Sequence, residues 1–386
     1  MNWSAAIGKT VLLFDVDGVL VEPRGYRQAV RDTFAHFASQ MGQTHLTLPE
    51  SVLSQMEARS ITVEWDMIPL CLVAVLDEIQ RQSPPLSLPT TIPEAFAALK
   101  TNAPRLAHID FSPIIELVVA RLVSGAYPAD VLRDAYPGDD GWVWLRRELL
   151  TGTRDVPRSD TTRHFQELVL GSEQFARTYA LAPTLNSPSY LLAHDRPFLT
   201  PNASARVSKQ WISGSIDVAV YTARPSRPPR ELTDVPSGYA PEAELALGLV
   251  GLSDIPLIGY GKLDWYAQQK HLNIAALQKP APFQALAAIF AAISRIEHAA
   301  LDDAHTFQRT KTPPKYLEGR AWDVQVFEDS PGGIIAVQKA GEMLRAAGVD
   351  VQVRAWGIAV EARKVDALAS VGAQVVSNVN DVLTGQ

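Results

Sequence analysis

Short, mainly apolar runs that stop abruptly at polar residues punctuate this chain. Val11-Leu12-Leu13-Phe14 gives way to Asp15-Val16-Asp17-Gly18-Val19-Leu20, and Val218-Ala219-Val220-Tyr221 to Thr222-Ala223-Arg224-Pro225. Much later, Val324-Gln325-Val326-Phe327 runs into Glu328-Asp329-Ser330-Pro331-Gly332-Gly333. The first two runs, with no polar residue inside them, predict strands buried on both faces, as in a parallel sheet, and the third, broken only by Gln325, reads as a strand of the same kind. The residues that follow each run then fall at the carboxyl end of a strand, where open α/β sheets bind ligands. Further short strands are expected over 255–260, 351–356 and 373–376, with a helix over 242–250 and loops at 225–230 and 302–320.

The interval from Asp17 to Thr222 is far longer than one crossover helix requires, so a folded insert is expected within it. Its pattern is helical. Tyr26, Ala29, Val30, Phe34 and Phe37 lie at helical spacing, and similar periodicity runs over 68–79, 114–122 and 165–179, while strand alternation is scarce. Pro, Ser and Asn cluster at 83–89 and 183–203, which read as loops or linkers. The predicted organisation is an α/β core from 1–22 and 206–386, a Rossmann-like three-layer α/β/α arrangement with a parallel sheet, and a mainly α-helical domain over 23–205. Hinges are expected near 22–25 and 200–210.

A fourth polar signal is Lys279-Pro280-Ala281-Pro282, followed by Phe283, Leu286, Ala287, Ile289 and Phe290 at helical spacing. A lysine therefore precedes a helix start, where proline is well tolerated. Taken in order, the four signatures resemble the motifs of the haloacid dehalogenase superfamily: DxDGxL, a strand ending in Thr or Ser, a lysine before a helix, and a strand ending in an acidic pair. The resemblance covers 9–35 and 211–380. A helical insert directly after the first motif is similar to the capped, phosphatase-like branch.

The resemblance implies a Mg²⁺-dependent phosphatase acting on a small phosphorylated metabolite. Asp15 would be the nucleophile that forms an aspartyl phosphate. Asp15 and Asp329 would be the carboxylate ligands of Mg²⁺, joined by the backbone carbonyl of Asp17 and by Glu328, directly or through water. Asp17, two residues beyond the nucleophile, would give a proton to the leaving group and then activate water. That service is superfluous when halide leaves, so the reading favours phosphoester cleavage over dehalogenation. Thr222 would hydrogen-bond a phosphoryl oxygen, Lys279 would offset negative charge, and Arg224 is a candidate substrate contact. A sugar phosphomutase, or a fold retained for ligand binding or regulation without turnover, are the alternatives.

Other features have plainer explanations. Arg24, Arg27 and Arg31 suit a solvated helix face, Glu64-Trp65-Asp66 a helix start, and Gly259-Tyr260-Gly261-Lys262 lacks the frame of a nucleotide loop. The eight histidines show no metal-ligand spacing. Composition changes the picture little: 386 residues, 47% hydrophobic and 20% charged, suit a globular chain of two or three domains. The net charge of −7 argues against nucleic acid or an anionic membrane as partner. Cys71, the single cysteine, excludes an internal disulfide and a thiolate cluster. Without a basic leader or an apolar run of about 20 residues, a cytoplasmic location is expected.

Overall fold

The computed structural model describes residues 8–83, 86–123 and 126–384. The chain divides into two compact units, one formed by residues 1–24 with 194–386 and the other by residues 25–193.

The first unit is an α/β domain. Its sheet contains β1 (Lys9–Phe14), β4 (Ile216–Tyr221), β5 (Leu257–Ile258), β6 (Trp322–Glu328), β7 (Val351–Ile358) and β8 (Gln374–Val376), in the order β5-β4-β1-β6-β7-β8 with every pairing parallel. Two further strands, β2 (Val21–Glu22) and β3 (Arg196–Pro197), pair antiparallel. The direction of winding reverses between β1 and β6, the switch point of a doubly wound sheet.

Alternation within the apolar runs builds the layers. Val11 and Leu13 join a core with Ala219, Val324 and the helix Pro282–Ser294, whereas Leu12 and Phe14 join a second core with Val218, Val220 and Phe327. Phe14, Phe327 and Trp356 are in register across three strands. Their rings stack at 4.8 and 6.4 Å and tie the carboxyl ends of β1, β6 and β7 together.

Some elements differ from those read in the sequence. Residues 302–310 are not a loop: they complete a helix, Glu297–Thr310, whose Ala300, Leu301, Ala304 and Phe307 are buried. Two alanines, a leucine and a phenylalanine suffice to dock an otherwise polar helix. The strand expected over 255–260 pairs only at Leu257–Ile258. Residues 201–212, read partly as linker, form a helix whose Thr200 cap is also held by Asn380. The insert was expected over 23–205, and the compact helical unit itself ends at Ala193. Within the proline-rich stretch 83–89, residues 84–85 lie outside the described residues.

The second unit is helical throughout its described elements. Helix Glu64–Gln82, buried almost continuously from Asp66 to Leu76, is its centre and packs against Ser112–Val119, Pro128–Arg133, Gly141–Leu150 and Asp160–Leu170. The single helix suggested by the 165–179 pattern is two, Asp160–Leu170 and Ser172–Tyr179, parted at Gly171. Gly171 has φ +77°, and a Cβ there would lie 2.6 Å from Ser189 N, so this break requires glycine. Asp66 is buried and accepts two hydrogen bonds from Arg154, at 2.9 and 2.7 Å. Arg27 and Arg31 pair with Glu50, and Arg27 also with Glu57, as a helix surface would. Among the described residues no helix is long and apolar enough to cross a membrane.

His164 and His36 stack in this unit, ring centroids 4.1 Å apart. Burial, aided by His36 and opposed by Glu167, brings the His164 imidazole down from 6.5 to about 4. The unfolded chain therefore binds a proton at this residue between these two values while the folded chain does not. The His164 contribution to stability is complete above pH 6.5 and is lost as pH falls towards 4, with a ceiling of about 3 kcal/mol. NMR titration of the His164 Cε1 proton is expected to give a midpoint near 4; an ordinary imidazole midpoint would refute this account.

Candidate functional site

The site grows from the carboxyl ends of β1, β4 and β6. Phe14 is in register with Val220 on one side and Phe327 on the other, so Asp15, Tyr221 and Glu328 emerge at the same level. The Asp15 N–H still donates to Phe327 O at 3.0 Å, which fixes the backbone as it leaves the sheet. The chain then turns at Gly18, φ +73°, where a Cβ would lie 2.3 Å from Asp329 Oδ2. Glycine in DxDG thus serves close approach as well as the turn.

Lys279, just before helix Pro282–Ser294, joins the three strand ends. Its Nζ donates to Asp15 Oδ1 at 3.0 Å, to Tyr221 O at 3.0 Å and to Glu328 Oε1, and lies 3.8 Å from the centre of the Tyr221 ring. Glu328 is fully buried. Its second oxygen accepts from Ser330 Oγ at 2.9 Å, and Gly333 gives it room, since a Cβ there would lie 1.7 Å from Glu328 Oε1. Ser330 meanwhile caps the helix Pro331–Ala346. Asp329 pairs with Lys364 from the helix Ala362–Ser370.

Asp15, Glu328 and Asp329 each offer a carboxylate oxygen, all within 4.8 Å of one another. Three carboxylates facing the ammonium groups of Lys279 and Lys364 leave an excess negative charge. The electrostatics reflect it. Burial raises Asp15 to about 7, with Lys279 opposing and Glu328 and Asp17 adding to the rise, and burial and Asp15 raise Asp329 to about 6 despite Lys364. Burial alone would lower the Lys279 ammonium, but Asp15 and Glu328 outweigh it and hold it above the ordinary lysine value. A cluster of hard oxygen donors with surplus negative charge fits a divalent cation such as Mg²⁺.

Asp17 points to a different partner. Arg224 grips it side-on, Nε to Oδ1 at 2.9 Å and Nη2 to Oδ1 at 2.6 Å, and Nη2 also donates to Asp195 Oδ2 at 2.9 Å. The Arg224 and Asp195 side chains are almost entirely buried, whereas that of Asp17 is 34% exposed. Arg224 thus positions Asp17 and leaves the carboxylate accessible. Thr222 is buried, and its hydroxyl oxygen accepts from Arg224 N–H at 3.2 Å, so its own proton is free to be donated elsewhere. Gln284 secures this strand end by donating to the carbonyls of Thr222 and Ile258 at 2.9 and 2.8 Å.

Every residue singled out in the sequence for this chemistry lies at or beside these strand ends. Asp195, Lys364 and Gln284 were not foreseen. Asp195 sits in a stretch whose composition signals only a loop, and Lys364 is an ordinary helix lysine until β7 carries its helix to Asp329. The lysine of Gly259-Tyr260-Gly261-Lys262 is structural: it is buried and pairs with Glu244 and Glu297.

No family model and no curated protein matches the chain. Solved structures do. A crystal structure from the Northeast Structural Genomics Consortium, target ZR25, is similar over 97% of both chains at a TM-score of 0.64 and 15% identity. Phosphatase Tt82 from Thermococcus thioreducens aligns over 97% of this chain and 100% of its own at 0.47 and 15% identity. The first likeness establishes the fold: a doubly wound α/β domain carrying a helical second unit.

Proposed function

We propose that the chain is a Mg²⁺-dependent phosphatase of the haloacid dehalogenase type, acting on a small phosphorylated metabolite through an aspartyl phosphate on Asp15. The observation that carries this reading is the meeting of Asp15, Lys279, Glu328 and Asp329 at the sheet's switch point, with Asp17 and Thr222 beside them. Asp15, Asp329 and Glu328 would hold Mg²⁺, whose charge neutralises the carboxylates and polarises the phosphoryl oxygens when it is bound.

The chain's own residues supply the rest. An Asp15 oxygen attacks phosphorus, the bond from phosphorus to the ester oxygen breaks, and Asp17 gives that oxygen its proton. The Asp17 carboxylate then takes a proton from water, whose oxygen displaces Asp15 from phosphorus and releases inorganic phosphate. Lys279 keeps Asp15 oriented and offsets charge, and the Thr222 hydroxyl donates to a phosphoryl oxygen. Phosphate release from a panel of phosphorylated metabolites with Mg²⁺ tests the reading, and no release from any of them would remove its support.

The division of labour is open to a sharper test. Asp17→Asn is expected to lower steady-state turnover by about 10²–10⁴-fold. With p-nitrophenyl phosphate, whose leaving group needs no proton, the variant should still release a burst of about one equivalent of p-nitrophenolate before stalling. Unchanged steady-state turnover would remove Asp17 from the mechanism.

A further inference from the structure

The helical unit contains a cleft of about 510 Å³ for which the proposed chemistry has no use. It lies among helices Arg24–Gln40, Ile92–Asn102 and Asp160–Leu170, and one wall is apolar, made by Phe37, Ile92 and Phe96. The other wall is the stacked pair His36 and His164, inclined by 22° to each other and met edge-on by Phe37. Lys100, Arg163 and Asp160 also line the cleft, which leaves one positive charge in excess.

Two details make this more than packing. His164 is 9% exposed, yet neither ring nitrogen has a hydrogen-bond partner among the described residues; His36, by contrast, is met at Nε2 by the Gln40 amide at 2.8 Å. Arg163 donates through Nη2 to Ala182 O, and its buried Nε has no acceptor among the described residues. Flat faces, an uncommitted imidazole and two cations form the complement of one kind of ligand.

We propose that this cleft binds a small organic anion with a flat, unsaturated body, which lies against the imidazole pair and the Phe37 and Phe96 side while its anionic group meets Lys100 and Arg163. The site stands apart from the phosphatase reading, because its residues and its readout involve no turnover.

Titration of the full chain at fixed neutral pH with phenylphosphonate, which cannot be hydrolysed to phosphate as an ester can, tests the proposal. Saturable shifts of the His36 and His164 imidazole NMR signals are expected, with benzyl alcohol and inorganic phosphate each at least about tenfold weaker. Lys100→Met, at an exposed position, should weaken phenylphosphonate by about three- to tenfold and leave benzyl alcohol unaffected. Arg163→Met should do the same. Absence of any shift, equal binding of benzyl alcohol or of inorganic phosphate, or indifference to both substitutions would overturn it. The titration repeated with Asp15→Asn is expected to give the same affinity, and a loss of binding there would also count against a separate site.

Discussion

Asp15→Asn is expected to reduce phosphate release from every substrate by about 10⁴-fold or more, the scale seen when a nucleophile is removed from a covalent mechanism, while the fold survives. The amide has the shape of the carboxylate but no charge to attack phosphorus. It leaves Lys279 its bonds to Tyr221 O and Glu328. Stability provides an independent sign. The folded Asp15 carboxyl lies at about 7, against 3.8 for an unperturbed aspartate, chiefly because it is buried. Its raised value means that the unfolded chain gives up this proton first. The contribution of Asp15 to stability is therefore complete below pH 4 and is lost as pH rises through about 7. Asparagine has no such loss. In the presence of a chelator, the variant should match the wild type at pH 4 and exceed it by roughly 1–4 kcal/mol at pH 8. Turnover within tenfold of the wild type would rule out the nucleophile. Lower stability at pH 8 would contradict the electrostatic account.

The strands that carry the site could be read in the sequence because burial on both faces leaves a continuous apolar run, and Val11 to Phe14 or Val218 to Tyr221 admits few other readings. The candidate site residues followed from the same feature, since Asp15, Thr222 and the Glu328-Asp329 pair are what those runs end in. Lys279 was found by its place before a helix. The residues that hold these candidates in place were hidden. Asp195 and Lys364 reach Arg224 and Asp329 only through tertiary packing, and nothing in their local context marks them. Helix Glu297–Thr310 was missed for a related reason: its buried stripe is narrow, and the prolines at 313 and 314 pull the reading towards a loop. Edge strand β5 was read longer than it is, because only Leu257–Ile258 of the apolar stretch 255–260 pairs with β4.

Lys279→Met should damage the protein as well as its chemistry. Lys279 is the only cation that the described ion pairs give to Glu328, whose side chain is wholly buried, and it also pairs with Asp15. Removing one member of such a group leaves an uncompensated charge, at a cost of about 3–5 kcal/mol. The same reasoning predicts a rescue. In Lys279→Met with Glu328→Gln no charge is stranded at Glu328, and the Gln side chain can still accept from Ser330 Oγ, so most of the lost stability should return. Activity should not return with it, because neither replacement supplies the charge that offsets Asp15 and the transferring phosphoryl group. Denaturant unfolding of the two variants beside the wild type, together with phosphate release, separates the two roles. If the double variant is no more stable than Lys279→Met, the loss comes from the ammonium's contacts with the Tyr221 ring and carbonyl rather than from a stranded carboxylate. If the double variant regains turnover as well as stability, Lys279 serves the fold alone and the proposed charge balance at Asp15 is wrong.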